Sequence, residues 1–136
     1  MNTPAAYLPH RPPMLMLTDA GEVKESHITC EASIEPDNPL LQNGNFPGFA
    51  CLELCAQAAG CLIGSRGGTA PKAAAIISVR SLHAAIVDIP AHSRLNVHAR
   101  LLGGDAKAAM FEGEIDLSGE KIFNAMFTVA ELEQVT

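Results

Sequence analysis

The chain has 136 residues, 48% of them hydrophobic and 18% charged, with a net charge of −6 and a pI near 5.2. That length suits one domain over residues 1–136, and the composition supports a core of real size. The acidic balance excludes a nucleic-acid binder built on a basic stripe. No basic leader, no signal-like segment and no uninterrupted run of 18 apolar residues points to export or to a membrane, so the cytosol is the expected compartment.

In chain order, the first thirteen residues hold Pro4, Pro9, Pro12 and Pro13 and predict an arm with at most a short helical turn. MLML (Met14 to Leu17) predicts a buried strand. The next segment alternates, with Ile28, Cys30, Ala32 and Ile34 on one face and His27, Thr29, Glu31 and Ser33 on the other. EPDNPLLQNG (Glu35 to Gly44) predicts a loop. After the Pro47-Gly48 turn, Phe49 to about Gly64 predicts a helix that Arg66-Gly67-Gly68 ends. It is apolar on every side, hence buried, and its small residues (Ala50, Ala56, Ala58, Ala59, Gly60, Gly64) let a sheet wrap closely around it. Strand signals follow at Ala73 to Val87, Arg94 to Leu101, Ala108 to Leu117 and Lys121 to Val129. Arg94, His98 and Arg100 are expected outward, across a hairpin from Glu112, Glu114 and Asp116. Long antiparallel strands around one central apolar helix make an α+β protein of the hotdog type, whose open edge invites a second subunit.

Within the helix NFPGFACLELCAQAAG carries one acid, Glu53, and one amide, Gln57. A buried carboxylate must find a partner or take up a proton. Glu53 and Gln57 are four apart, on one helix face, and Glu53 lies early enough for the helix dipole to favour an anion. Two roles follow: a structural acid held by amides or an arginine, or an active-site acid at a subunit cleft. The four cysteines (Cys30, Cys51, Cys55, Cys61) form no Cys-x-x-Cys pair and read as buried free thiols, and no His spacing suggests a metal.

Three segments carry a family resemblance: LPHRPPMLML (Leu8 to Leu17), NFPGFACLELCAQAAG (Asn45 to Gly60) and VRSLHAAIVDIPAHSRL (Val79 to Leu95). They resemble the hotdog β-hydroxyacyl-(acyl carrier protein) dehydratases of fatty-acid synthesis, in a divergent branch linked to aryl-polyene or related pigment-lipid pathways. The resemblance implies a lyase that removes water from a 3-hydroxyacyl thioester. It uses no cofactor of its own, since the substrate is carried on the phosphopantetheine of acyl carrier protein or on coenzyme A. In such enzymes the helix acid, matching Glu53, protonates the departing hydroxyl. A His directly before Phe-Pro-Gly removes the α-proton, and amides at the helix start polarise the thioester carbonyl.

This sequence departs from that pattern at the base. Asn45, not His, precedes Phe46-Pro47-Gly48, and the turn to Glu53 is shorter than the usual one. Asn cannot act as a base near neutral pH, though it can hold a carbonyl or a water. Three possibilities remain: His10 of the Pro-His-Arg arm supplies the base, the chain is a non-catalytic partner of an active dehydratase, or it hydrolyses thioesters. The expected catalytic residues are thus Glu53 and His10, with Asn45, Phe46, Gly48 and Gln57 at the substrate or oxyanion site. The expected partners are acyl carrier protein and a second hotdog subunit, identical or different. Residues 59–104 hold five basic residues (Arg66, Lys72, Arg80, Arg94, Arg100) against Asp88, a candidate docking patch unless the cross-strand acids neutralise it.

Overall fold

The computed structural model describes residues 3–8, 11, 14–67, 74–104 and 107–131. Its strands, in chain order, are β1 (Leu17–Asp19), β2 (Val23–Lys24), β3 (His27–Ser33), β4 (Asn45–Pro47), β5 (Ala74–Ala84), β6 (Asp88–Pro90), β7 (Arg94–Gly104), β8 (Ala108–Leu117) and β9 (Glu120–Glu131). A 3-10 turn, Gly48–Ala50, leads into the helix α1 (Cys51–Gly67). The main sheet runs β1-β3-β7-β8-β9-β5, antiparallel throughout, with β2 paired to β3. β4 and β6 form a separate two-stranded sheet.

The period-2 alternation decides which face meets the helix. Ile28, Cys30 and Ala32 of β3, Leu95, Val97 and Ala99 of β7, and Phe111 and Ile115 of β8 are buried on the concave side, with Phe123, Ala125, Phe127 and Val129 of β9. α1 lies in that concavity and buries Cys51, Leu54, Cys55, Ala58, Ala59, Cys61 and Leu62. Truncating a fully buried Leu such as Leu54 to Ala costs about 2–5 kcal/mol. The close fit needs small residues on both partners: a Cβ on Gly113 of β8 would stand 2.6 Å from the Cys55 sulfur. The stretch Gly48–Ser65, with mean hydropathy 1.4, is long and apolar enough to cross a membrane. Glu53 and Gln57 break its apolar run, so counting consecutive apolar residues misses it; here half of it is buried against the protein.

The observed elements differ from the expected map: β2 was not expected, the strand expected to reach Val87 ends at Ala84, and two further differences have a physical reason. No ladder strand forms over Met14 to Met16, and β1 starts only at Leu17, because the Met14 carbonyl and the Met16 amide bond to a helix side chain instead of to a strand. The β4–β6 pair was not expected, since three-residue strands that include prolines carry no alternation.

The convex face carries a polar network. His98 Nε2 lies 3.0 Å from Asp116 Oδ2, and His98 Nδ1 lies 3.1 Å from the Thr29 hydroxyl. Asn96 donates to Asp116 Oδ1 at 3.0 Å, and the His27 and His98 rings stack with centroids 5.7 Å apart. Arg100 pairs with Glu112 as expected. His98 stands opposite Glu114 in the ladder but bonds diagonally to Asp116, while Glu114 takes Lys121.

All four cysteines are buried free thiols. A hydrogen bond with Cys61 and then burial push the Cys30 thiol far up; burial pushes Cys51 up to about 12 and raises Cys55 as well.

Candidate active site

The site is assembled where the small sheet meets the start of α1. Phe46 of β4 is wholly buried and anchors this segment in the core. Asn45 pairs with Pro90 in the ladder, and its backbone closes a turn with Gln42 through bonds of 2.8 and 3.0 Å. Pro47, at φ −63° and ψ 136°, directs the chain into the 3-10 turn. A Cβ on Gly48 would lie 2.1 Å from the Ile86 carbonyl oxygen, so only glycine fits where the two segments cross.

Gly48 does not present its amide as expected. Its N–H donates to the Val87 carbonyl at 2.6 Å, so it is engaged by the protein and not by a substrate carbonyl. Phe49 and Ala50 follow, before the Cys51 amide donates back to the first carbonyls of the turn. Amides at the start of a helix are candidates for holding a developing oxyanion. Phe49 is 63% exposed and Val87 82%.

Glu53 stands in the first turn of α1, partly buried. Gln57, one turn later, is completely buried. Its Nε2 donates to Glu53 Oε1 at 3.1 Å and to the Met14 carbonyl at 2.8 Å, while its Oε1 accepts from the Met16 amide at 3.1 Å. Both N–H groups and one lone pair of the oxygen are therefore engaged inside the protein. The sequence could not show this, because the bonded residues lie 41 and 43 positions away.

His10 lies outside the described residues. The chain on either side of it is fixed: Leu8 is buried against α1 at Gly60, and Met14 is held by Gln57. Arg11 donates to the Leu8 carbonyl at 2.9 Å. Of the basic patch, Lys72 and the Arg66 side chain also lie outside the described residues; Arg80 and Arg94 are exposed, and Arg100 is paired with Glu112. Among the described residues no three His, Cys, Asp or Glu side chains converge as metal ligands.

The sequence of the chain matches a known family. The profile of ApeP-like proteins, described as ApeP dehydratase, fits residues 2–136. The chain belongs to the ApeP-like dehydratase family. The ApeI:P dehydratase heterocomplex from Xenorhabdus doucetiae contains a similar chain, with a TM-score of 0.88 and 25% identity, over 98% of this chain and 93% of that one. A hypothetical thioesterase from Streptococcus pneumoniae TIGR4, solved with coenzyme A, has a TM-score of 0.62 at 16% identity over 88% of this chain and 87% of that one. A homologue of HP0420 from Helicobacter felis has a TM-score of 0.68 at 11% identity over 96% of this chain and all of that one. These two share the hotdog fold with the ApeP-like chain. No curated protein sequence matches it.

Proposed function

We propose that this ApeP-like chain is a subunit of a hotdog dehydratase that removes water from 3-hydroxyacyl thioesters carried by acyl carrier protein. The observation that carries the reading is Glu53, which stands in the first turn of the buried helix and accepts a hydrogen bond from Gln57, in a chain of the ApeP-like family. Glu53 donates a proton to the departing 3-hydroxyl. The Phe49 and Ala50 amides take up charge that develops on the thioester oxygen, helped by the helix dipole. Asn45 holds the substrate or a water, and His10 is the candidate for removal of the α-proton. Carriage on phosphopantetheine, with aliphatic or aryl-polyene acyl chains, belongs to the same proposal.

The absence of His before Phe46 and the heterocomplex in which the similar chain was solved favour a second reading. In it, this chain joins a different hotdog subunit that brings the base. Exposed Ile77, Val79 and Leu82 on the edge strand β5 supply an apolar seam for such a partner. Thioester hydrolysis is supported only by a shared fold.

The deciding experiment is mass spectrometry of a 3-hydroxyacyl-carrier protein incubated with the chain alone and with a second hotdog subunit. Loss of one water, abolished by Glu53→Gln, supports the proposal. Loss that persists in Glu53→Gln removes Glu53 from the mechanism. Dehydration that needs the second subunit and survives His10→Ala favours the second reading, and release of free thiol in place of water overturns both.

A further inference from the structure

The tight turn that leads into β4 is closed by two residues, Asn43 and Gly44. The Gln42 amide donates to the Asn45 carbonyl at 2.8 Å, and the Asn45 amide donates to the Gln42 carbonyl at 3.0 Å. Asn43 stands at φ 54° and Gly44 at φ 80°. Both are left-handed, as a two-residue primed turn requires, and Asn-Gly is the pair that such a turn favours. Both residues are exposed, and nothing lies within 4 Å of a Cβ built on Gly44.

The pair that suits the turn is also the pair that reacts with itself. An asparagine side chain can be attacked by the main-chain nitrogen of the next residue, and glycine, with no side chain, obstructs that approach least. Among the described residues the Gly44 nitrogen donates no backbone hydrogen bond. Two bonds close the turn, so the ring can form on a local opening that leaves the sheet intact. Among the asparagines of the chain, Asn43 alone is followed by glycine. Asn38 is buried and precedes Pro39, whose nitrogen carries no hydrogen, while Asn96 and Asn124 are fixed in the ladders of β7, β8 and β9.

We propose that Asn43 is a self-modification site that acts on Asn45. The Gly44 nitrogen bonds to Asn43 Cγ, the Cγ–Nδ2 bond breaks, and Nδ2 leaves as ammonia together with the Gly44 amide proton. Water then opens the cyclic imide. Opening at Cγ gives aspartate. Opening at the main-chain carbonyl gives isoaspartate, whose backbone runs through the former side chain and is one carbon longer. That carbon sits between Gln42 and Asn45, so the turn cannot keep both of its bonds. Phe46 is wholly buried and Asn45 is paired with Pro90, which stops the displacement at Asn45 and spares the fold. The modification stands on the turn itself; its effect on turnover rests on the reading of Asn45 as a residue that holds substrate or a water.

The test ages folded, full-length wild type and Asn43→Gly at mildly alkaline pH; the variant keeps a Gly-Gly pair, which this turn also accepts. Peptide mass spectrometry locates each replacement of NH2 by OH, and a protein-isoaspartate methyltransferase with S-adenosylmethionine detects isoaspartate. Asn43 is expected to react at least about 10-fold faster than any other asparagine, because glycine follows it. In the isoaspartate form, hydrogen exchange at the Asn45 amide is expected to rise at least about 10-fold, since its bond to Gln42 is lost. Dehydration, measured with the subunit needed for turnover, is expected to fall on ageing in wild type and not in Asn43→Gly. Reaction at Asn43 no faster than at the other asparagines overturns the site. An Asn45 amide that exchanges as before in the isoaspartate form overturns the action on Asn45. If fresh wild type dehydrates nothing, the proposed function fails, and the first two readings decide the self-modification by themselves. Turnover that survives while both of those readings move sustains the self-modification and removes Asn45 from the substrate side.

Discussion

The protein holds two polar networks of similar size on opposite faces of one sheet. On the concave side a single amide, Gln57, itself wholly buried, joins Glu53, Met14 and Met16. On the convex side His98, Asp116, Thr29 and Asn96 are joined by three bonds of 3.0–3.1 Å, with His98 29% and Asp116 24% exposed. The bond lengths barely differ. What differs is the alternative open to each group when a bond breaks: water replaces a partner on the outer face, and nothing replaces it inside. The inner network therefore fixes geometry, whereas the outer one trims stability.

The strongest way to break this contrast is at the entrance to the inner site. Gly48→Ala forces the Ile86–Val87 segment away from the helix start and is expected to cost about 3 kcal/mol, since the obstruction is backbone. Urea denaturation measures it, and a loss below about 1 kcal/mol would show that the crossing is soft. Next comes Gln57→Leu, expected to cost about 1–3 kcal/mol for the buried Met16 amide it leaves unbonded, with the more exposed Met14 carbonyl adding less. On the outer face Asp116→Asn is expected to cost under about 1 kcal/mol by the same titration. Equal losses for Gln57→Leu and Asp116→Asn would refute the contrast.

The smallest effect is the acid dependence of the outer face. For Asp116, burial raises the carboxyl's pKa, but hydrogen bonds from Asn96 and His98 outweigh it and hold the group below its usual 3.8. Its folded form thus binds fewer protons than the unfolded chain, and the stability it confers is lost as pH falls below that range. His27 is lowered from 6.5 by burial, then by His98 and Arg100, against Glu114. The unfolded chain takes up that proton first, so stability also declines as pH drops through 6.5. Denaturation at pH 7.5 and 5.5 should show a small loss in acid that His27→Gln reduces. A gain in stability at pH 5.5 attributable to His27 would reverse the sign argued here.

The alternating strands, the apolar helix and its single acid could all be read from residue order, because period and composition are local properties. The β4–β6 pair could not, since Asn45–Pro47 and Asp88–Pro90 are too short to show a period. The diagonal from His98 to Asp116 depends on rotamers, not register. Gln57 marks the limit most clearly: its place beside Glu53 follows from a spacing of four, but its hold on residues 14 and 16 depends on where the arm comes to lie.

The buried thiols give the molecule its own clock. Cys30, Cys51 and Cys55 are hidden and held as neutral thiols, so a thiol-reactive dye finds no nucleophile while the fold is closed. Labelling must wait for an opening, and Cys30 on β3 and Cys55 on α1 become reachable only when sheet and helix separate. The rate of dye uptake then times how often the helix leaves its cradle, and partner binding that quietens the cradle would slow that clock.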